Sequence, residues 1–213
     1  MRRVQYLVIA KAPVPGAVKT RLCPPCTPVQ AARVAAAALA DTLDAVTAVA
    51  TTTSTAGAPG AATGACTLVL AGGYAAPAGW RVVPQRGDGL AERLVHAYAD
   101  TGRRHAASLL VGMDTPQLTP ALLAGAADTL GTGGVDAVLG TAADGGWWAL
   151  GLRDPADGEA LRGVPMSTPD TGAATLAALR ARGLTVAALP VLRDVDTAAD
   201  AWAVAGQCRP DGR

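Results

Sequence analysis

Along the chain, short apolar runs alternate with longer stretches in which apolar positions recur every three or four residues. That alternation predicts an α/β fold: a mostly parallel sheet with helices on both faces. Residues 4–10 (VQYLVIA) predict the first strand. Thr27-Pro28-Val29-Gln30 carries a capping box with proline at the first helical position, and the Ala/Leu-rich segment up to about Val49 predicts a long helix. Residues 51–65 are small and polar with no apolar period, which predicts a flexible surface loop. Strands follow at 66–70 and 81–84, then a helix over 89–101 with Leu90, Leu94, Ala97 and Tyr98 on one face. A buried strand at 108–111 precedes a helix opened by Thr119-Pro120 and ending near Leu130. Strands at 136–139 and 147–152, a helix from Ser167-Thr168-Pro169 to Gly183, a strand at 185–191 and a last helix complete the pattern. With no internal repeat, it predicts a single domain over residues 1–206 and a disordered tail over 207–213.

Composition changes this picture in one respect. Half of the 213 residues are apolar, yet there is no Phe and aromatics make up 3%. The core must therefore come from Val, Leu and Ala, which brings helices close to the sheet. A formal charge of +1 argues against nucleic acid as a partner. No apolar run approaches the roughly 18 residues that span a bilayer. The start, Met1-Arg2-Arg3 and then a short apolar run closed by Lys11, reads as a strand rather than an export signal. The expectation is a cytoplasmic protein without a membrane partner. Cys23-Pro24-Pro25-Cys26 has redox or zinc spacing, but Cys66 and Cys208 stand alone and the histidines are His96 and His105. Reduced loop thiols are the expectation.

The candidate chemistry lies in four loops. Lys11, Asp114, Asp144 and Asp196 each come just after an apolar strand, and open α/β sheets bind ligands beyond the carboxyl ends of their strands. Aspartate also caps helices and makes turns, so each residue alone has a structural reading; the four together make a site. The first loop holds Lys11, Pro13, Gly16, Lys19 and Arg21. It contains neither G-x-G-x-x-G nor the P-loop G-x-x-x-x-G-K-[ST], so phosphate charge would fall to the side chains of Lys11, Lys19 and Arg21; a solvated basic loop is the alternative. Asp114 ends a hydrophobic strand between Gly112-Met113 and Thr115-Pro116. A carboxylate there needs compensation, and Mg²⁺ or Mn²⁺ shared with Asp196 would supply it. Asp144-Gly145-Gly146 could take a ribose hydroxyl, the acceptor or the metal. Gln85, Gly87 and Asp88 could meet a base or sugar, or cap the next helix. Nothing resembles a Ser-His-Asp arrangement.

In this order the motifs Ala10-Lys11-Ala12-Pro13-Val14-Pro15-Gly16, Val18-Lys19-Thr20-Arg21-Leu22, Gln85 to Leu94, Gly112-Met113-Asp114-Thr115-Pro116, Asp144-Gly145-Gly146 and Asp194-Val195-Asp196-Thr197 resemble the radical-SAM/selenodomain-associated transferase 1 family. That family belongs to the nucleotide-diphospho-sugar transferase (GT-A) superfamily. The loop around Lys19 also resembles the guanylyltransferases that activate phospholactate or phosphoenolpyruvate. The resemblance implies a single-domain, Rossmann-like GT-A fold, Asp114 and Asp196 on a metal, and Lys11, Lys19 and Arg21 on phosphates. Lys19, Arg21 and Asp114 would then carry catalysis.

Three readings follow. In the first, a nucleotidyltransferase, an acceptor phosphate or phosphonate attacks the α-phosphate of a nucleoside triphosphate. In the second, a glycosyltransferase uses a nucleotide-sugar, with Trp147 or Trp148 as a stacking ring or else packed on opposite faces of a strand. In the third the chain binds nucleotide without catalysis. Each implies a small-molecule partner, and a homodimer is left open.

Overall fold

The computed structural model describes residues 3–55, 66–103 and 105–206. Among them, seven strands make one sheet: β1 (Arg3–Lys11), β2 (Cys66–Ala71), β3 (Arg81–Pro84), β4 (Ala106–Val111), β5 (Ala137–Thr141), β6 (Trp147–Leu152) and β7 (Val186–Ala188). Their spatial order is β3-β2-β1-β4-β6-β5-β7, and only β6 runs against its neighbours. The helices are α1 (Pro28–Thr55), α2 (Gly89–Thr101), α3 (Pro120–Gly131), α4 (Thr171–Ala181) and α5 (Ala198–Ala205). This is the mostly parallel α/β architecture that the alternating pattern predicts.

Strand side chains alternate between the two faces, as the pleat requires. Tyr6, Val8 and Ala10 of β1 join Leu68, Leu109 and Trp148 in a core shared with α1 and α3. Leu7 joins Val69, Leu110 and Leu150 in a second core on the other face, shared with α2 and α4.

Three expectations need correction. The first helix does not stop near Val49 but continues to Thr55. The hydroxyls of Thr51 and Thr52 donate to carbonyls four residues earlier, so the threonines that suggest a loop are satisfied within the helix. The rest of the expected flexible loop, 56–65, and the expected tail, 207–213, lie outside the described residues. Second, residues 28–52 do form a helix long and apolar enough, by length and composition, to cross a membrane. Asp41 and Asp44 interrupt the run in sequence and hide this. Its stripe of Ala35, Leu39, Leu43, Val46 and Val49 is buried in the first core, which makes α1 a packed core helix here. Third, α4 opens at Thr171 with Asp170 at its N-cap, leaving Pro169 outside it. A 3₁₀ helix over Pro155–Leu161, started by Asp154 accepting from the Ala156 N–H at 3.0 Å, has no counterpart in the expected pattern.

Candidate functional site

β1 has β2 on one side and β4 on the other, so the winding of the chain reverses between β1 and β4. A crevice opens beyond the carboxyl ends of strands at such a point. The loops that follow β1 and β4 flank it.

In the first loop Val18 and Leu22 are buried and act as anchors. Between them Lys19 adopts a left-handed backbone (φ 49°, ψ 37°) and heads a 3₁₀ turn over Thr20–Leu22. That conformation is costly for a residue with a Cβ, and such strain concentrates at functional positions. The Lys19 side chain, 9% exposed, points inward. Its Nζ donates to Asp114 Oδ2 and to Asp196 Oδ1, both at 2.7 Å. Two carboxylates far apart in sequence therefore converge on one cation. Burial works to lower the pKa of Lys19, but Asp114 and Asp196 outweigh it and hold the amine protonated. Arg21 stands at the rim, 70% exposed, with Nη1 3.6 Å from Asp196 Oδ2. At that exposure the pair contributes little to stability.

Local sequence explains the convergence. A Cβ on Gly112 would lie 3.0 Å from Asp114 Oδ1, so the glycine makes room for the carboxylate to turn back beside its own strand. The Val195 N–H donates to the Asp114 carbonyl at 2.9 Å, and Thr115 Oγ1 donates to Asp194 Oδ1 at 2.6 Å. These two bonds tie residues 194–196 to the end of β4. A capping box, Thr197 with Asp200, then starts α5 and holds Asp196 at the helix entry.

Asp194 is the site residue that the sequence reading passes over. Its carboxyl is pushed up to about 7, first by burial and then by the charges of Asp114 and Asp144, against help from Thr115 and Lys19. The only sequence signal was its place two residues before Asp196, which a turn explains equally well. Folding thus penalises the ionised form. The penalty is absent below the ordinary carboxylate range, grows as pH rises, and is complete above about 7. Asp194→Asn is therefore expected to raise the melting temperature of chelator-treated protein by a few degrees at pH 8 and to leave it unchanged at pH 3.5. Equal effects at the two pH values would refute the assignment.

Asp144 follows β5 and is close enough to Asp194 to contribute to its shift. It accepts from the Gly146 N–H at 2.9 Å. Gly145 (φ 89°) lies against protein backbone, since a Cβ there would come within 1.8 Å of the Pro169 carbonyl oxygen. Lys11 ends β1, exposed, and its N–H donates to Met113 Sδ at 3.3 Å. Pro13 and Gly16 line the outer part of the same loop. Gln85, Gly87 and Asp88 follow β3 on the same edge of the sheet. The Gln85 amide nitrogen is spent on the carbonyls of Ala10 and Val69, at 2.7 and 3.1 Å. Asp88 sits at the N-cap of α2 without a side-chain cap bond; Glu92 instead reaches back to its N–H at 2.8 Å. The Trp147 and Trp148 indoles pack on opposite faces, donating to Thr175 Oγ1 and the Pro190 carbonyl. Trp148 is buried in the first core, and Trp147 packs half-buried against the second. His96 and His105 lie at the surface or partly exposed, and Cys23 and Cys26 are free thiols in the loop before α1.

Among the described residues, no three carboxylate, imidazole or thiol groups gather closely enough to hold a metal ion by themselves. A pair of carboxylates completed by substrate phosphates and water suits Mg²⁺. The Lys19 ammonium, gripped by both, marks where positive charge is favoured. A cavity of about 630 Å³ opens at the opposite edge of the sheet, beside Tyr98, Arg103, Ala106 and Arg153, away from these carboxylates.

Residues 32–168 match the family described as "Uncharacterized protein conserved in bacteria (DUF2064)". The chain belongs to this family. Among solved structures, this DUF2064 chain is similar to a protein from Desulfovibrio desulfuricans G20 that is provisionally described as a nucleotide-diphospho-sugar transferase. The two are 26% identical over 92% of this chain and 84% of the other, with a TM-score of 0.74. Rv0371c from Mycobacterium tuberculosis H37Rv is 23% identical over 95% of this chain and 97% of its own, with a TM-score of 0.55. CMP:2-keto-3-deoxy-manno-octonic acid synthetase, solved with CTP, shares 11% identity over 96% of this chain and 97% of its own, with a TM-score of 0.54. The last two establish likeness of fold alone. No curated protein matches the chain. The fold is thus similar to that of the nucleotide-diphospho-sugar transferases.

Proposed function

We propose that this protein is a cytoplasmic, metal-dependent nucleotidyltransferase, in which an acceptor phosphate or phosphonate attacks the α-phosphate of a nucleoside triphosphate. The observation that supports it is the convergence of Lys19, Asp114 and Asp196, with Arg21 beside them, at the switch point between β1 and β4. The bond from the acceptor oxygen to Pα forms as the Pα–O bond to the β-phosphate breaks, and pyrophosphate carries the electron pair away. That leaving group gathers charge, so cations fixed where charge develops lower the barrier. Asp114 and Asp196 would hold Mg²⁺ or Mn²⁺, which supplies charge neutralisation and orientation when bound. Lys19, on its anchored turn, and Arg21 at the rim would meet phosphate oxygens, with Lys11 at the end of β1 in reserve. Asp144, beside Gly145 and Gly146, would receive the acceptor or a ribose hydroxyl, and the loop at Gln85, Gly87 and Asp88 would face the nucleoside. The closer kinship with the radical-SAM/selenodomain-associated transferase 1 family is part of this proposal.

A glycosyltransferase is the second reading, favoured by the description of the Desulfovibrio protein. Against it, of the rings a sugar could stack on, Trp148 is buried in the first core and Trp147 is packed against the second with its indole N–H bonded to Thr175. The purified protein is to be incubated with Mg²⁺ and, in parallel, each nucleoside triphosphate or nucleotide-sugar with a panel of phosphorylated acceptors. Pyrophosphate release with transfer of the nucleotidyl group is the expected result. Release of nucleoside diphosphate from a nucleotide-sugar would replace the proposal by the second reading, and tight nucleotide binding without turnover across the panel would reject both.

A further inference from the structure

We infer that Lys19 acts as an internal stand-in for the metal: in the free protein its ammonium occupies the place between Asp114 and Asp196 that a divalent cation takes during the reaction, and it leaves for the nucleotide's phosphates when that cation enters. This rests on the proposed function and adds an order of events to it. The two carboxylates face one cation at 2.7 Å each, so lysine and metal compete for the same oxygens. The two carboxylates together carry more negative charge than one ammonium balances, which leaves the place suited to a divalent ion. The exchange needs no loop rearrangement. Val18 and Leu22 bury the turn on either side of Lys19, and the Leu22 N–H donates to the Lys19 carbonyl at 2.9 Å. A four-carbon stem with a compact charge can swing while its backbone stays fixed. Metal affinity in the absence of nucleotide is then reduced by the fraction of molecules in which Lys19 has left, a conformational cost that phosphate would relieve.

The chain has two lysines, Lys11 and Lys19, so each can report separately. Lys11 is exposed at the end of β1, whereas the Lys19 side chain is 9% exposed. Reductive dimethylation of the wild-type protein, read by peptide mass spectrometry, is expected to be slow at Lys19 without metal. It should rise several-fold in Mg²⁺ but not in NaCl of matched ionic strength, with Lys11 unchanged. Mn²⁺ binding, followed by electron paramagnetic resonance, is expected to tighten about tenfold or more in Lys19→Met, the change a minor metal-ready state of a tenth or less would give. Arg21→Gln, which removes a charge beside Asp196 without vacating the place between the carboxylates, should tighten it far less. Equal Lys19 reactivity with and without Mg²⁺ would overturn the inference, as would equal effects of the two substitutions. The underlying site is tested apart: Mn²⁺ binding to Lys19→Met should vanish on adding Asp114→Asn. If binding persists there, the assignment of Asp114 as a metal ligand fails, whatever Lys19 does.

Discussion

Asp114→Asn is expected to reduce turnover by about a thousandfold or more, while far-UV circular dichroism and the melting temperature stay within a few degrees of the parent. The size follows from position. Asp114 lies beyond the end of β4, beside the reversal of winding, and its Oδ2 faces the Lys19 ammonium at 2.7 Å. In the proposed reaction that same oxygen would help fix the metal, so losing its charge weakens the binding of metal and phosphates together. Asparagine keeps the shape, so Gly112 still accommodates the side chain and the Val195 N–H still reaches the residue's carbonyl. The fold does not depend on this charge, because the Asp114 side chain is 30% exposed and Lys19 retains Asp196. Asp196→Asn should act in the same direction. The double substitution should cost scarcely more than either alone, since residues acting as a unit are not additive. Full activity in Asp114→Asn, measured by pyrophosphate or nucleoside diphosphate release, would remove this residue from the chemistry.

The sheet and most of its helices were legible because each strand is a short, mostly apolar run and each helix has either a cap or a clear apolar stripe. Thr27 with Gln30, and Thr119 with Pro120, marked helix starts that the structure reproduces. Where the reading erred, side-chain chemistry was ambiguous. Thr51 and Thr52 look like loop residues until their hydroxyls are seen bonded within α1. Pro169 looks like a helix start, but its carbonyl packs against Gly145 and α4 begins two residues later, at Thr171. At the site, the periodic placement of charges after strands marked which edge to examine, because parallel strands deliver their ends to one side. Which carboxylates meet was a different matter. It depends on Thr115 binding Asp194 and on the Val195 N–H reaching Asp114, contacts between segments far apart in sequence. Nor could the sequence reveal that Lys19, expected to grip phosphate, lies between the two acidic residues.

The glycine pair after Asp144 yields the other large effect, and it separates two explanations for those glycines. If they exist so that a ligand can approach the backbone, alanine at either position should impair binding alike and spare stability. The packing argues for an asymmetry. Gly145 has φ 89°, a region alanine enters at a cost, and its Cβ would lie 1.8 Å from the Pro169 carbonyl oxygen and 2.6 Å from its carbon. Backbone on both sides leaves no flexible side chain to move aside. The Gly145 carbonyl also accepts from the Gly172 N–H at 2.8 Å in the first turn of α4, so displacing the loop strips that bond as well. At Gly146, the nearest atoms to a Cβ would all belong to the Asp144 carboxyl group, Oδ1 closest at 3.1 Å, and that group can rotate. Gly145→Ala is therefore expected to destabilise by about 2–4 kcal/mol, through strain and a lost bond together. In a chain of this length that lowers the melting temperature by roughly 5–10 °C. Gly146→Ala should cost a small fraction of this. Because Asp144 rides on the same turn, Gly145→Ala should also raise KM more than it lowers kcat, provided the assay is run well below the shifted melting temperature. Equal melting temperatures for the two variants would show that the contact with Pro169 is not what requires a glycine, and would return both residues to the ligand.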